Sequence, residues 1–184
     1  MQQHSGKGHR VQDPPPSKSA MSSNVPMVED AVAQAQKLVV FILDDQRYAL
    51  SLACVQRAIR VVAITPLPAV PAIVLGIIDL GGMIIPVINI RGRFNRPPRD
   101  VRLSDHLLVA TTGKRTVALL VDETQGVIEA SPESYALAGE ILPGLELFHG
   151  AMKAEDGLIL IHDLERLLSL EAEAAIDVAL SGKK

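Results

Sequence analysis

Tryptophan is missing from the 184 residues, aromatics make up only 3%, and cysteine occurs once. So few rings exclude the stacking platforms that hold single-stranded bases. A formal charge of −3 leaves no basic footprint for nucleic acid. A lone thiol, Cys54, excludes an internal disulfide framework and points to a reducing compartment, the cytoplasm. The opening residues MQQHSGKGHRVQDPPPSKSAM lack the apolar segment of a secretory signal. Long uninterrupted apolar runs are also missing. The stretch GIIDLGGMIIPVINIRGRF, Gly76 to Phe94, is broken by Asp79, Gly81-Gly82 and Pro86, with Pro68 and Pro71 upstream. A spanning helix needs roughly 20 consecutive apolar residues, so direct membrane insertion is not expected.

Reactive constellations are scarce too. Of His4, His9, His106, His149 and His162, none pair at metal-ligand spacing on a helix. His162 and Asp163 are adjacent, and adjacent strand residues point to opposite faces. Cys54 has Arg57 near it in sequence but no histidine, which leaves it a poor nucleophile. TTGKRT, Thr111 to Thr116, lacks the glycine that opens a phosphate loop. The acidic pairs Asp44-Asp45 and Asp122-Glu123 read as solvated turns. No catalytic residue, metal ligand or cofactor is expected, and an enzyme with an unrecognised site is the lesser alternative.

What is present is apolar strand. Apolar residues are 48% of the chain, rich in Val, Ile and Leu. Val74–Leu80 and Met83–Ile90 read as two buried strands turned by Gly81-Gly82. Residues 1–35 hold three consecutive prolines, Ser, Gly and few large apolar side chains, the composition of a flexible tail. Residues 171–184 read as a C-terminal helix or tail, from the Ala, Glu and Leu of EAEAAIDVAL.

The chain between these ends repeats itself. LVVFILDDQRYALSLACVQRAI (Leu38–Ile59) aligns without a gap to LLVATTGKRTVALLVDETQGVI (Leu107–Ile128). Leu38, Val40, Ala49, Leu50, Gln56 and Ile59 recur as Leu107, Val109, Ala118, Leu119, Gln125 and Ile128. Further on, Gly76–Phe94 lies over GAMKAEDGLILIHDLERLL, placing Gly76 on Gly150 and Asn89 on Asp163. Asn or Asp there suits a helix N-cap, so IRGRF and LERLL read as short helices. Two similar lobes are expected, about 37–96 and 99–170, joined at Arg96-Pro97-Pro98-Arg99, where neither proline can donate to a ladder. Many short strands between turn signals predict a mainly all-β fold of two small barrels. A β-rich chain without chemistry is more suited to binding than to catalysis, and a groove between lobes accepts helices or extended segments.

These pieces resemble a known family. Leu38–Ile59, with its apolar strand, acidic turn, Tyr-Ala-Leu and Val-Gln, is similar to the opening of CheW-like domains. ITPLPAVPAIVLGIIDLGGMIIPVINIRGRF, VALLVDETQGVIEA and HGAMKAEDGLILIHDLERLL resemble the rest, over about Leu38 to Leu168. The resemblance implies two five-stranded SH3-like β-barrels in a CheW-like domain over 36–170. It implies a cytoplasmic, non-enzymatic adaptor that couples chemoreceptors to a histidine kinase in chemotaxis signal transduction. The implied partners are the regulatory domain of that kinase and the helical cytoplasmic tip of a receptor. The implied groove residues are Val55, Gly76, Ile78 and Leu80 from one lobe and Ala118, Leu120 and Val121 from the other. Gly76 and Ala118 are small enough to admit a close helix. Two positions depart from the pattern: Gly81 stands where the family has arginine, and Arg57 where it favours an acid. Both fall near the implied receptor face, where charge sets specificity and on-rate. The alternative is therefore a divergent scaffold serving a non-chemotactic receptor–kinase pathway.

Overall fold

The computed structural model describes residue 1, residues 36–137 and 148–168, and residues 174 and 176–177. The expected tail, apart from Met1, and most of 171–184 lie outside the described residues. Among the described residues, eleven strands form two sheets. In chain order they are β1 (Gln36–Leu43), β2 (Gln46–Ser51), β3 (Val55–Arg60), β4 (Val74–Leu80), β5 (Met83–Asn89) and β6 (His106–Thr111). There follow β7 (Thr116–Val121), β8 (Glu123–Ala130), β9 (Tyr135–Leu137), β10 (Phe148–Ala154) and β11 (Gly157–His162). A short helix, α1 (Leu164–Leu167), follows β11.

The turns follow local chemistry. Gly81 and Gly82 have φ of +66° and +88°, the two positive angles a two-residue hairpin turn requires. The Gly82 N–H donates to Asp79 Oδ1 at 2.7 Å, pinning the turn. Asp163 caps α1, accepting from the N–H groups of Glu165 and Arg166 at 2.8 and 3.2 Å. Asn89, expected as the cap of the next segment, is not: Ile90 is the N-cap of the 3-10 turn at Arg91–Phe94 and makes no side-chain cap bond, while Asn89 Oδ1 accepts from the Arg91 N–H at 3.1 Å. The short helices expected at IRGRF and LERLL are thus a 3-10 turn and a single α turn.

The sheets run β8-β1-β2-β11-β10-β9 and β3-β6-β7-β5-β4. Each draws strands from both halves of the repeat. The lobes expected over 37–96 and 99–170 share strands: hairpin β1–β2 joins β8 and β11 of the second half, and its counterpart β6–β7 joins β3 and β5 of the first. The exchange is symmetric down to register. β5 pairs parallel with β7 through Val87–Ala118, and β11 pairs parallel with β2 through Ile161–Ala49. The first sheet has six strands instead of five because the three-residue β9 adds to its edge.

The reason lies in burial. Along β1, Leu38 and Val40 face one core with Ala49, Met152 and Ile161. Val39, Phe41 and Leu43 face a second, shared core with Leu108, Leu119 and Val121. β6 and β7 split likewise, with Leu107, Val109, Ala118 and Leu120 in a third core beside Ile78 and Ile85. A hairpin buried on both faces reads as an unbroken apolar run. Fully burying each such Leu or Ile stabilises by about 2 kcal/mol. Ile176 is fully buried in the shared core with Leu164, Leu167 and Leu168.

Candidate protein-binding surface

Strands β3 and β4 are the two edges of the five-stranded sheet. The chain beyond β3 crosses to β4, where Thr65 and Ile77 exchange backbone hydrogen bonds of 2.9 Å in both directions. This bridge ties the chain beyond β3 to β4. Gly76 makes it possible. Its φ is +147°, and a Cβ added there would lie 2.2 Å from the Thr65 carbonyl oxygen. The space at Gly76 is therefore filled by the chain itself rather than left for a partner helix. Its repeat mate Gly150 meets the Ala136 carbonyl in the same way, at 2.6 Å. Both glycines sit beside a register shift, one after Val74 and one after Phe148.

The other groove candidates separate by depth. Ile78, Ala118 and Leu120 lie inside the barrel, and Val121 faces the shared core, each at most 3% exposed. The small side chain of Ala118 serves internal packing and admits no helix from outside. Val55 and Leu80 are half-buried, while Arg57 and Gly81 are exposed. Among the described residues, Arg57, Arg60 and Arg102 form no ion pair, so the β3 edge is a basic rim on an acidic protein. The two hairpins β4–β5 and β10–β11 also leave large apolar side chains in solvent. Met83 and Ile84 are 49% exposed and Leu158 58%. Ile84 and Leu158 occupy the same place in the repeat. Sequence reading passed over them because they sit in strands whose other residues are core.

Beneath this surface runs a charge network that also escaped sequence reading. Arg91 is buried in the 3-10 turn. Its Nη1 donates to Asp122 Oδ1 at 2.9 Å, its Nε to the Pro97 carbonyl at 2.9 Å, and its Nη2 to Asp44. Arg99 holds both oxygens of buried Asp105 at 2.8 and 2.9 Å and also reaches Asp122. The Asp44 N–H donates to Asp122 Oδ2 at 2.7 Å. Asp44 and Asp122, read as solvated turns, are thus the ends of a clamp. Burial alone would raise the Asp122 carboxyl, but the Asp44 N–H, Arg99 and Arg91 more than offset this and hold it below the ordinary value. The Arg99 guanidinium is driven further toward its charged form, chiefly by its hydrogen bonds to Asp105. Arg96 lies beside this cluster and bonds the Tyr48 hydroxyl at 3.3 Å, and Tyr48 packs against Phe94 with ring centres 4.3 Å apart and planes tilted by 41°.

The polar clefts offer no reaction. One of about 510 Å³ is lined by Cys54, Thr112, His149, His162 and Asp163. Burial raises the Cys54 thiol, which also donates to the Ser51 carbonyl at 3.0 Å, so it is held as the unreactive thiol. Among the described residues, no group of three or more His, Cys, Asp or Glu could hold a metal ion. No described helix is long and apolar enough to cross a membrane.

Two interlocked barrels with exposed apolar hairpins and a basic edge offer surface for protein binding. Residues 37–172 match the family described as the CheW-like domain, and the chain belongs to that family. A Rhizobium etli protein named "Probable chemotaxis protein CheW" is 29% identical over 76% of this chain and 92% of its own length. The chemotaxis protein CheW of Treponema pallidum is 26% identical over 72% of this chain and 82% of its own. The scaffolding protein TtCheW of Thermoanaerobacter tengcongensis has a crystal structure that superposes with a TM-score of 0.67. It shares 28% identity and covers 76% of this chain and 96% of that one. The chain is accordingly a CheW-like chemotaxis scaffold and not an enzyme.

Proposed function

We propose that this scaffold couples a chemoreceptor tip to the regulatory domain of a histidine kinase in the cytoplasm. What supports the reading is that, of the candidate positions, Val55 and Leu80 are half-buried and Arg57 and Gly81 exposed, so a partner can touch them. Ile78, Ala118, Leu120 and Val121 lie in the cores beneath. The exposed Met83, Ile84 and Leu158 supply apolar area for the kinase domain, at about 25 cal/mol per Å² buried.

Arg57 and Gly81 favour a second reading within the first. They change the charge of the receptor face, so the receptor served has a compensating charge or belongs to a pathway other than chemotactic movement. Isothermal titration against both partners from the same genome tests the role. Micromolar binding to each is the expected result. Binding to neither overturns it, and binding to the kinase domain alone removes the receptor half.

A further inference from the structure

The repeat puts opposite charge on two equivalent strands. β3 and β8 hold the same place in the two halves, because Leu38–Ile59 aligns with Leu107–Ile128. Each is the terminal strand of its sheet, β3 beside β6 and β8 beside β1, and no other described strand pairs with its outer side. Each carries one bulge, and the residues skipped there, Gln56 and Gln125, are repeat mates. Both strands are mostly exposed. The outer side of a terminal strand is a template for a further strand.

The charges on the two edges differ in sign. β3 exposes Arg57 and Arg60. β8 exposes Glu123 and Glu129, with Glu133 exposed just beyond it. Arg60 and Glu129 directly follow the aligned stretches, so the same position is basic in one half and acidic in the other. Among the described residues, Arg57, Arg60 and Glu123 form no ion pair. Glu129 meets Lys37 at 3.5 Å with both side chains largely in solvent, a pair worth little. Apolar area accompanies the charge: Val127 on β8 is 53% exposed, and Val62, just beyond β3, is 44% exposed.

These charges select the partner. Charges and bulges on an edge ordinarily block pairing. Two β3 edges would set arginine against arginine, and two β8 edges glutamate against glutamate, and like charges directly opposite destabilise a strand pair. β3 against β8 sets opposite charges across the seam. Within one chain these strands lie in different sheets and do not pair. A second copy brings both edges.

We infer that copies of this chain associate edge to edge, β3 of one beside β8 of the next, with Arg57 and Arg60 facing Glu123 and Glu129. Such a contact leaves β8 free on the first copy and β3 free on the second, so the association extends or closes on itself. The inference goes beyond the coupling role and does not depend on it.

The test is sedimentation velocity of the full chain, up to about 1 mM, the weak end of specific affinity. At low salt the average mass should rise with concentration. At high salt it should fall back toward the monomer, because exposed charges are screened. Arg60→Glu and Glu129→Lys should each weaken self-association by about tenfold or more. Their melting temperatures should stay close to that of the wild type, because both side chains are exposed. Mixed one to one, the two variants should associate again, because the Glu129→Lys chain keeps the native β3 and the Arg60→Glu chain the native β8. A wild type that stays monomeric throughout overturns the inference. Association indifferent to either reversal overturns it, and so does a mixture that fails to associate. A monomeric wild type whose binding to the kinase regulatory domain is weakened by Arg60→Glu or Glu129→Lys assigns that edge to the kinase. That result overturns the inference and leaves the coupling role standing.

Discussion

Arg91 Nη1 lies 2.9 Å from Asp122 Oδ1, and Asp122 is the single residue between β7 of one sheet and β8 of the other. Arg91 also holds Asp44, at the tip of the β1–β2 hairpin that the sheets exchange. One buried guanidinium therefore ties the β7-to-β8 crossing between barrels to the tip of the β1–β2 hairpin.

Replacing Arg91 should loosen that junction. Arg91→Met keeps most of the apolar stem but leaves Asp44 and Asp122 without their shared cation. Breaking a buried pair by removing one partner costs about 3 kcal/mol or more. Urea unfolding should show that loss, and a change under about 1 kcal/mol would mean that water replaces the cation at little cost.

The clamp should also weaken in acid. Asp122 is depressed in the folded chain below its ordinary value of 3.8. Its contribution is full above that value and disappears as pH falls through the lower, folded one. Asp122→Asn should be less stable than wild type near neutral pH. The gap should narrow in unfolding curves taken between about pH 5 and pH 2. A gap independent of pH would show that the carboxylate charge is not what Arg91 and Arg99 hold.

Two glycines of one hairpin should respond differently. Gly76→Ala drives a Cβ into the Thr65 backbone and should cost about 3 kcal/mol or more, or prevent folding. Gly81 has a positive φ but open space around it, so Gly81→Ala should cost about 1 kcal/mol. Melting temperatures rank the two. Equal losses would mean that the Thr65 bridge is not needed for stability.

At the surface, Arg57→Glu should change recognition and leave the fold alone. Arg57 is exposed and forms no ion pair among the described residues, so its stability effect should stay within about 0.5 kcal/mol. Paired with Gly81→Arg, it should strengthen binding to an ordinary receptor tip. The added arginine carries a backbone cost of about 1 kcal/mol at that positive φ. Stopped-flow association at two salt concentrations would detect the change. Identical rates and salt slopes in wild type and variant would place both residues away from the receptor.

Much of this was legible in the sequence because it is decided locally. Gly81-Gly82 could turn only one way, Asp163 announced its cap, and alternating or unbroken apolar runs marked the strands. The repeat placed Gly76 on Gly150, and both prove to be tight crossings. Membership of the CheW-like family was visible in the same segments. Tertiary structure decided the rest. Both halves carry the same hairpin pattern, so pairing within a half or between halves satisfies every local rule. Only packing of LVVFIL and VALLV, buried on both faces, selects the exchange. Asp44, Arg91 and Asp122 are far apart in sequence, and nothing local reveals that three charges will meet. Gly76 invited the idea of an approaching helix, yet its neighbour is the chain's own Thr65. Arg60 and Glu129 are mates in the repeat, but only the sheet order puts both on terminal strands. Propensity and periodicity act over a few residues, whereas burial and charge pairing depend on what the folded chain brings near.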